Sequence, residues 1–445
     1  MRIAMLLPVA DHPAVRAYAL WTRSARDLSE ALVQRGVEVT AVPIQDAGPL
    51  MPTHKSGVHG VESVLRLTHV FQRADDFQLI HDMVGFATLP FAAFIDTPVL
   101  STVWFDMWKH AADMYQEMNQ RVYYVAPSEQ DRKGDLLYTD TLPWGVPVKA
   151  TPFHESAEDH LVFLGSLRPK AGVEEAIELA KRTGRPLVLL GAVQDPVFFE
   201  REVAPHLDGQ QVRHHDDPAS PEADRWVGQA TAVVHVGGGA GMQQLALLDA
   251  LARGTPIVAI DDGHVPDFVR DGETGYRFTS AESAAAGMTM VCEVDRKACR
   301  ERVLKERALV DMVPRLVALY ERVIEQAQRE DHRPWGYYRV LADEPDHKVK
   351  RLVVYPEKRL SLQRHRHRSE HWFLVEGEAM VVQDDEEVRM LPGQSIEIPK
   401  GCWHRIRNPG ADNLTIIEVQ TGEYFGEDDI ERKEDDFGRA PGPSG

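Results

Sequence analysis

The densest chemistry in the chain lies in Gln363-Arg364-His365-Arg366-His367-Arg368-Ser369-Glu370-His371. Residues two apart on a strand face the same side. An extended stretch here would give Gln363, His365 and His367 one shared face. Glu370 lies past a turn and approaches from the next strand. His404, after Pro-Gly-Gln-Ser-Ile-Glu-Ile-Pro-Lys-Gly-Cys-Trp, supplies a further imidazole. Imidazoles with a carboxylate and an amide oxygen suit a divalent transition metal such as zinc, manganese or iron. The competing reading is a solvated basic face, the usual fate of a run of charged residues.

Short alternating segments must position these groups. VKRLVVYP, RLSLQRHRH, HWFLVEG, EAMVVQDD, EVRML, QSIEIP, CWHRIRN and LTIIEVQ follow one another after position 331. Turn signals separate them and helical periodicity is absent. That pattern predicts a small all-β barrel or sandwich over 331–439. Upstream, the texture is different. Apolar runs such as RIAMLLPV (2–9), VEVTAVPI (37–44), LIHDMV (79–84), PVLSTVWF (98–105) and VYYVAPS (122–128) alternate with helical patterns. The rhythm restarts at HLVFLGSL (160–167) and continues through RPLVLLG, TAVVHVGGG and TPIVAID. This is the β-α-β order of parallel sheets. It predicts two α/β domains, 1–150 and 151–330, with a turn-rich joint at 142–156. A single amphipathic helix over roughly 300–328, kinked at Pro314, is expected to close this half. The tail, 440–445, reads as disordered.

The spacing after position 357 resembles the cupin superfamily. Its second motif is Gly, five residues, Pro, one residue, Gly, two residues, His, three residues, Asn. Gly393, Pro399, Gly401, His404 and Asn408 match every position. In its first motif, Gln363 replaces the first His and Glu357 the opening Gly, while His365, Glu370 and Gly377 fit. RPWGYY (333–338), LSLQ (360–363), HRSEHW (367–372), PKGCWHRIRNPG (399–410) and DDFGR (435–439) look like the cupin domain of type II mannose-6-phosphate isomerases. That resemblance covers about a quarter of the chain. It implies interconversion of mannose 6-phosphate and fructose 6-phosphate with a bound metal. The implied ligands are Gln363, His365, Glu370 and His404. Lys350, Arg405, Glu418 and Arg439 are candidates for phosphate or proton handling, with a surface salt bridge as the alternative for each. His367 and His371 read as supporting residues, and Trp335 and Trp372 as core.

The α/β half resembles retaining glycosyltransferases of the family 4 type. YVAPSEQDR (124–132), LVFLGSLRPKAGVEEAIELAKR (161–182) and DALARGTPIVAIDDGHVPDFVRDGETGYRF (249–278) carry the likeness. The resemblance implies two doubly wound domains facing a cleft, with a sugar nucleotide held by Gly-rich turns and helix N-termini. Gly238, Gly239, Lys170 and Asp249 are the donor-site candidates. Several family anchors are changed. The paired glutamates fall at Gly241 and Asp249, a histidine aligns with Trp104, and the hinge turn reads Trp144-Gly145-Val146-Pro147. These departures imply altered donor binding or lost transfer.

The chain has 445 residues, with 50 Lys+Arg against 69 Asp+Glu, a formal charge of −19. An acidic surface repels phosphate backbones, so nucleic acid is not an expected partner. Three cysteines give no disulfide framework. No stretch reads as a membrane span or a signal peptide. A cytoplasmic protein is expected, and a homodimer is the family-level expectation. Three functions follow: an isomerase carrying a transferase-like unit, a sugar-nucleotide-dependent glycosyltransferase with a sugar-binding cupin, or a non-catalytic sugar-binding assembly protein.

Overall fold

The computed structural model describes residues 1–9, 19–45, 57–104, 111–217, 220–237, 241, 243–260, 265–434 and 436. Gly238, Gly239, Arg439 and the tail 440–445 lie outside the described residues. Two compact units form, Met1–Val323 and Ile324–Gly445.

The first unit contains two six-stranded parallel sheets. One is built from β1 (Arg2–Val9), β2 (Glu38–Gln45), β3 (Leu79–Asp82), β4 (Val99–Thr102), β5 (Val122–Ala126) and β6 (Tyr138–Thr141), in the order β2-β1-β3-β4-β5-β6. The other uses β7 (Leu161–Leu164), β8 (Leu187–Leu190), β9 (Val212–His215), β10 (Ala232–Val236), β11 (Ile257–Ile260) and β12 (Gly275–Phe278), in the order β12-β11-β10-β7-β8-β9. Continuous apolar runs become strands here because helices cover both faces of a parallel sheet. All four residues of β7, β8 and β11 are buried accordingly. Helices α1 (Ala19–Gln34) and α2 (Gly57–Gln72) belong to the first sheet, and α3 (Val173–Thr183), α4 (Pro221–Gln229) and α5 (Gln243–Ala252) to the second. Helix α3 ends at Gly184, whose φ of 67° is the left-handed cap the sequence signals. Strands β6, β9 and β12 are polar and short, and their composition gave no apolar run to read.

The expected single helix over 300–328 is in fact two, α6 (Arg296–Glu306) and α7 (Leu309–Arg329). The break falls at Arg307–Ala308 and not at Pro314. Val146 causes it. Its amide donates to Arg307 O at 2.8 Å, and its carbonyl accepts from the Leu309 amide at 2.9 Å. Gly145 permits that approach, since a Cβ there would stand 2.8 Å from Leu309 Cα. Helix α7 then reaches the first sheet, where the Tyr320 hydroxyl meets His81 Nδ1 at 2.6 Å.

The second unit is all antiparallel after α7. Its strands are β13 (Glu330–Arg333), β14 (Gly336–Asp343), β15 (His347–Val354), β16 (Leu362–His365), β17 (Arg368–Glu376), β18 (Ala379–Gln383), β19 (Glu386–Met390), β20 (Ser395–Ile398), β21 (His404–Arg407), β22 (Leu414–Gly422) and β23 (Ile430–Glu434). They form a six-stranded sheet, β13-β14-β15-β22-β17-β20, and a five-stranded sheet, β19-β18-β21-β16-β23. Inward residues of both sheets, including Leu352, Trp372, Leu374, Val381, Ile406 and Ile416, make one core. The alternation of buried and exposed residues along β17 and β22 is the signature of a sheet with one wet face.

Candidate functional site

Strand pairing brings the sequence-selected residues of the second unit together. Gln363 on β16 is the register partner of His404 on β21. His365 lies two residues further along β16 and shares that face. Glu370 enters from β17. His365, Glu370 and His404 are each at most 2 % exposed. One ligand-type atom from each lies within 4.8 Å of the others. His365 Nε2 is 3.0 Å from Glu370 Oε1, and His404 Nε2 is 3.5 Å from Glu370 Oε2. His404 Nδ1 meets the Cys402 carbonyl at 3.0 Å. That contact places the proton on Nδ1 and leaves the Nε2 lone pair free, the usual second contact of a metal-bound imidazole. Gln363 is half-buried and its Oε1 accepts from Ser361 Oγ at 2.9 Å.

The second motif does structural work around this cluster. The Asn408 side chain donates to Val354 O and Asp412 O at 2.8 and 2.7 Å. The Gly401 amide donates to His365 O at 2.8 Å. Glu357, which stands where the cupin pattern has glycine, adopts φ 59°. The left-handed turn is therefore kept without the residue that favours it.

A second row sits beside the cluster on the same inner face. Lys350 on β15 and Glu418 on β22 are direct register partners. Both are 5 % exposed. Lys350 Nζ donates to Glu427 at 3.2 Å and lies 4.3 Å from the Tyr338 ring centre. Glu418 shares two donors with Glu370. Trp372 Nε1 reaches Glu370 Oε2 at 3.1 Å and Glu418 Oε2 at 3.0 Å. Gln420 Nε2 reaches Glu370 Oε1 at 3.0 Å and Glu418 Oε1 at 2.8 Å. Arg368, 1 % exposed, extends Nε to within 3.4 Å of Glu370 and donates Nη1 to Gly426 O.

The two carboxyls are driven apart electrostatically. Burial pushes Glu370 up, but the neighbouring His365, then His404 and Arg368, hold it well below the usual carboxylate range. Burial, aided by the Glu370 charge, pushes Glu418 up to about 8. Burial lowers His404, which favours its neutral, ligating form.

Not every selected residue arrives at this place. Arg405 follows His404 on β21 and so takes the opposite face, where it donates to Glu434 at 3.0 Å. His367 lies in the turn between β16 and β17, so the shared parity with Gln363 and His365 ends at His365. His371 is exposed and bonds Glu397 at 2.6 Å. Arg364 and Arg366 both pair with Glu431, so the acidic stretch after Glu423 neutralises much of the basic run. Sequence reasoning missed Arg368 as a buried partner, Gln420 altogether, and the polar role of Trp372. Gln420 sits two residues after Glu418, so strand parity alone puts it on the same face. Its pairing with Glu370 is a matter of register, which no local pattern reveals.

An open cavity of about 570 Å³ in this unit is lined by Arg366, His367, Tyr424, Asp428, Asp429 and Arg432, among others. No member of the buried His365–Glu370–His404 group lines it.

In the first unit, Lys170 takes a left-handed φ of 63° in the loop after β7. Asp249 faces its own helix: Arg253, fully buried, donates to Asp249 at 2.7 Å and to Asp224 at 2.8 Å. Trp104 and Trp144 are buried against each other with ring centres 5.5 Å apart.

Two family models match this chain in series. Residues 321–435 match "Mannose-6-phosphate isomerase C-terminal", and residues 158–293 match "Glycosyl transferases group 1". The two matched segments follow one another along the chain. Among curated proteins, it is 49% identical over 111 residues to the xanthan biosynthesis protein XanB of Xanthomonas campestris pv. campestris, covering 25% of this chain and 24% of that protein. It is also 49% identical over 115 residues to the alginate biosynthesis protein AlgA of Pseudomonas aeruginosa, covering 26% and 24%. A mannose-1-phosphate guanylyltransferase of Sinorhizobium fredii is 48% identical over 104 residues, covering 23% and 20%. The chain thus spans about a quarter of the length of the curated relatives it matches. The fold of the larger part is that of AviGT4, a glycosyltransferase involved in avilamycin A biosynthesis, with a TM-score of 0.54 at 18% identity over 73% of this chain and 98% of that one. Sucrose-phosphate synthase from Thermosynechococcus elongatus aligns with a TM-score of 0.55 at 16% identity, over 73% and 99%. The chain therefore carries a two-Rossmann-domain, GT-B type fold followed by a cupin-like β domain. Among the described residues, no helix is long and apolar enough to cross a membrane.

Proposed function

We propose that the second unit is a metal-dependent sugar-phosphate isomerase that interconverts mannose 6-phosphate and fructose 6-phosphate. The observation that carries this is the buried His365–Glu370–His404 cluster within the segment that matches the isomerase family model. Among the described residues, Nδ1 and Nε2 of His365 and Nε2 of His404 have no hydrogen-bond partner of acceptable geometry. Buried polar atoms are rarely left this way without a ligand. Two imidazoles and a carboxylate, with the Gln363 amide on the same face, fit zinc, manganese or iron.

A bound divalent ion would polarise sugar oxygens and stabilise the charge of an enediolate. The rest falls to the chain. Aldose–ketose exchange moves a proton between carbons 1 and 2, which requires a group that holds and releases it in place. Glu418 is that group in this reading: it is buried beside the cluster and fixed by Trp372 and Gln420. Lys350, directly across the strand pair, supplies the positive charge for an anionic substrate oxygen. Burial of both residues excludes bulk water from the exchange.

In the same reading the first unit is a GT-B scaffold whose donor crevice is altered. Asp249 is committed to Arg253, and the Trp104–Trp144 pair fills space where the family has polar anchors. The test is direct. The intact chain, supplied with zinc or manganese, should convert fructose 6-phosphate to mannose 6-phosphate. Metal bound stoichiometrically with no turnover on either sugar phosphate would sink the isomerase reading and favour a sugar-binding module.

A further inference from the structure

In an open parallel sheet, ligands bind beyond the carboxyl ends of the strands where the strand order reverses. In the second sheet that point lies between β7 and β10. After β10, Gly237 and Gly241 are both at positive φ, and α5 begins at Gln243. A helix head of this kind presents free amides and the positive end of the helix dipole, and it favours phosphate.

In this chain an internal anion already stands there. Asp131 follows β5 of the other sheet, 110 residues upstream of Gly241. Its Oδ1 accepts from the Gly241 amide at 2.8 Å. Its Oδ2 accepts from Gln244 Nε2, in the first turn of α5, at 3.0 Å and from Ser128 Oγ at 2.5 Å. Asp131 is fully buried. One neighbouring bond reinforces the crossing: Gln130 Nε2 donates to Val265 O at 3.3 Å. Within the second sheet's own domain, Gln243 Nε2 donates to Leu164 O at 3.0 Å across the switch point.

We propose that Asp131 latches the two sheets of the first unit and takes the place of a nucleoside diphosphate at the head of α5. Gly241 is also the position where the resemblance leads one to expect the first family glutamate. A relocated catalytic carboxylate would need to face a cleft. Asp131 has no exposed surface and at least three protein donors, so it serves as a brace. A diphosphate arriving here must displace it, which strands a buried carboxylate without its donors. The contact is therefore autoinhibitory toward nucleotides, and it is independent of the isomerase reading for the second unit.

The test uses the intact chain, wild type and the variants Asp131→Asn and Gln244→Ala. Amide hydrogen exchange is followed without nucleotide, and GDP and UDP are titrated calorimetrically to about 1 mM. The latch requires slow exchange at Gly241 in the wild type and at least about tenfold faster exchange there in each variant, with Val234 in β10 unchanged. It also requires that the wild type bind neither nucleotide and that Asp131→Asn bind at least one. Should Asp131→Asn fail to fold, Gln244→Ala keeps the charge and reads both quantities. Wild-type binding of GDP or UDP with the Gly241 amide still protected would overturn the proposal. So would variants that exchange like the wild type, or an opened variant that binds neither nucleotide.

Discussion

Glu370 and Glu418 share two hydrogen-bond donors, the indole of Trp372 and the amide of Gln420, on the inner face of the second unit. One oxygen of each carboxyl goes to each donor. Both are buried, yet Glu370 is held low and Glu418 is pushed up to about 8. Pairs of titratable groups driven apart in this way divide labour, one staying charged and the other exchanging a proton. If Glu418 moves the proton, Glu418→Gln keeps the shape, with its amide oxygen left to accept from only one of the two donors. Turnover should fall by about 10²–10⁴-fold, the usual weight of a general acid–base group. Metal content, measured by elemental analysis, should not change. A variant that keeps wild-type turnover would remove Glu418 from the reaction.

Metal retention is expected to follow the cluster residue by residue. His404→Ala opens a gap opposite Glu370 and should lose both bound metal and turnover. His371→Ala, on an exposed side chain bonded to Glu397, should lose neither. Dialysis against a chelator followed by elemental analysis of both variants makes the comparison. An active, metal-free His404→Ala protein would dismiss the ligand assignment.

The cluster was legible in the sequence because two physical regularities are local. Strand parity puts Gln363 and His365 on one face, and the Gly-Pro-Gly-His-Asn spacing fixes the turn that delivers His404. Register is not local. Nothing near Glu370 in sequence announces that Gln420 stands opposite it, and nothing near Lys350 announces Glu418. The same limit hid the split between α6 and α7. The amphipathic pattern runs through Arg307, and only the distant Val146 interrupts it. Polar strands such as β9 escaped because they lack apolar runs, although the parallel sheet still recruits them. Arg405 was a candidate for phosphate or proton handling, but it follows His404 directly on β21, and adjacency on a strand means opposite faces.

Asp249 separates a donor-site role from a structural one. Its carboxylate receives the buried Arg253 guanidinium, which also holds Asp224 on α4. Asp249→Asn keeps the shape but weakens a charge-assisted bond in a buried setting, at a cost of about 1–3 kcal/mol. Urea unfolding of the first unit should report that loss. Neither protein should bind a sugar nucleotide. Unchanged stability, with sugar-nucleotide binding in the wild type that Asp249→Asn loses, would restore Asp249 to the donor site.

The stability of the first unit should also depend on pH through His81. Its ring is fully buried, with Nδ1 at 2.6 Å from the Tyr320 hydroxyl and Nε2 at 2.9 Å from Thr102 Oγ1. Burial alone lowers its pKa from 6.5 to about 3. The folded state therefore keeps His81 neutral while the unfolded chain takes up a proton below about pH 6.5. The contribution is fully present above that value and is lost progressively as pH falls toward 3. The slope is about 1.4 kcal/mol per pH unit in that window, so at pH 5 the loss is about 2 kcal/mol. His81→Gln removes the titration and keeps a polar group in reach of both hydroxyls. The stability gap between wild type and this variant, measured by urea unfolding, should narrow by about 2 kcal/mol between pH 7.5 and pH 5. A gap that stays constant over that range would mean that His81 takes up its proton at the same pH in the folded protein as in the unfolded chain, and that burial beside Tyr320 does not hold it neutral.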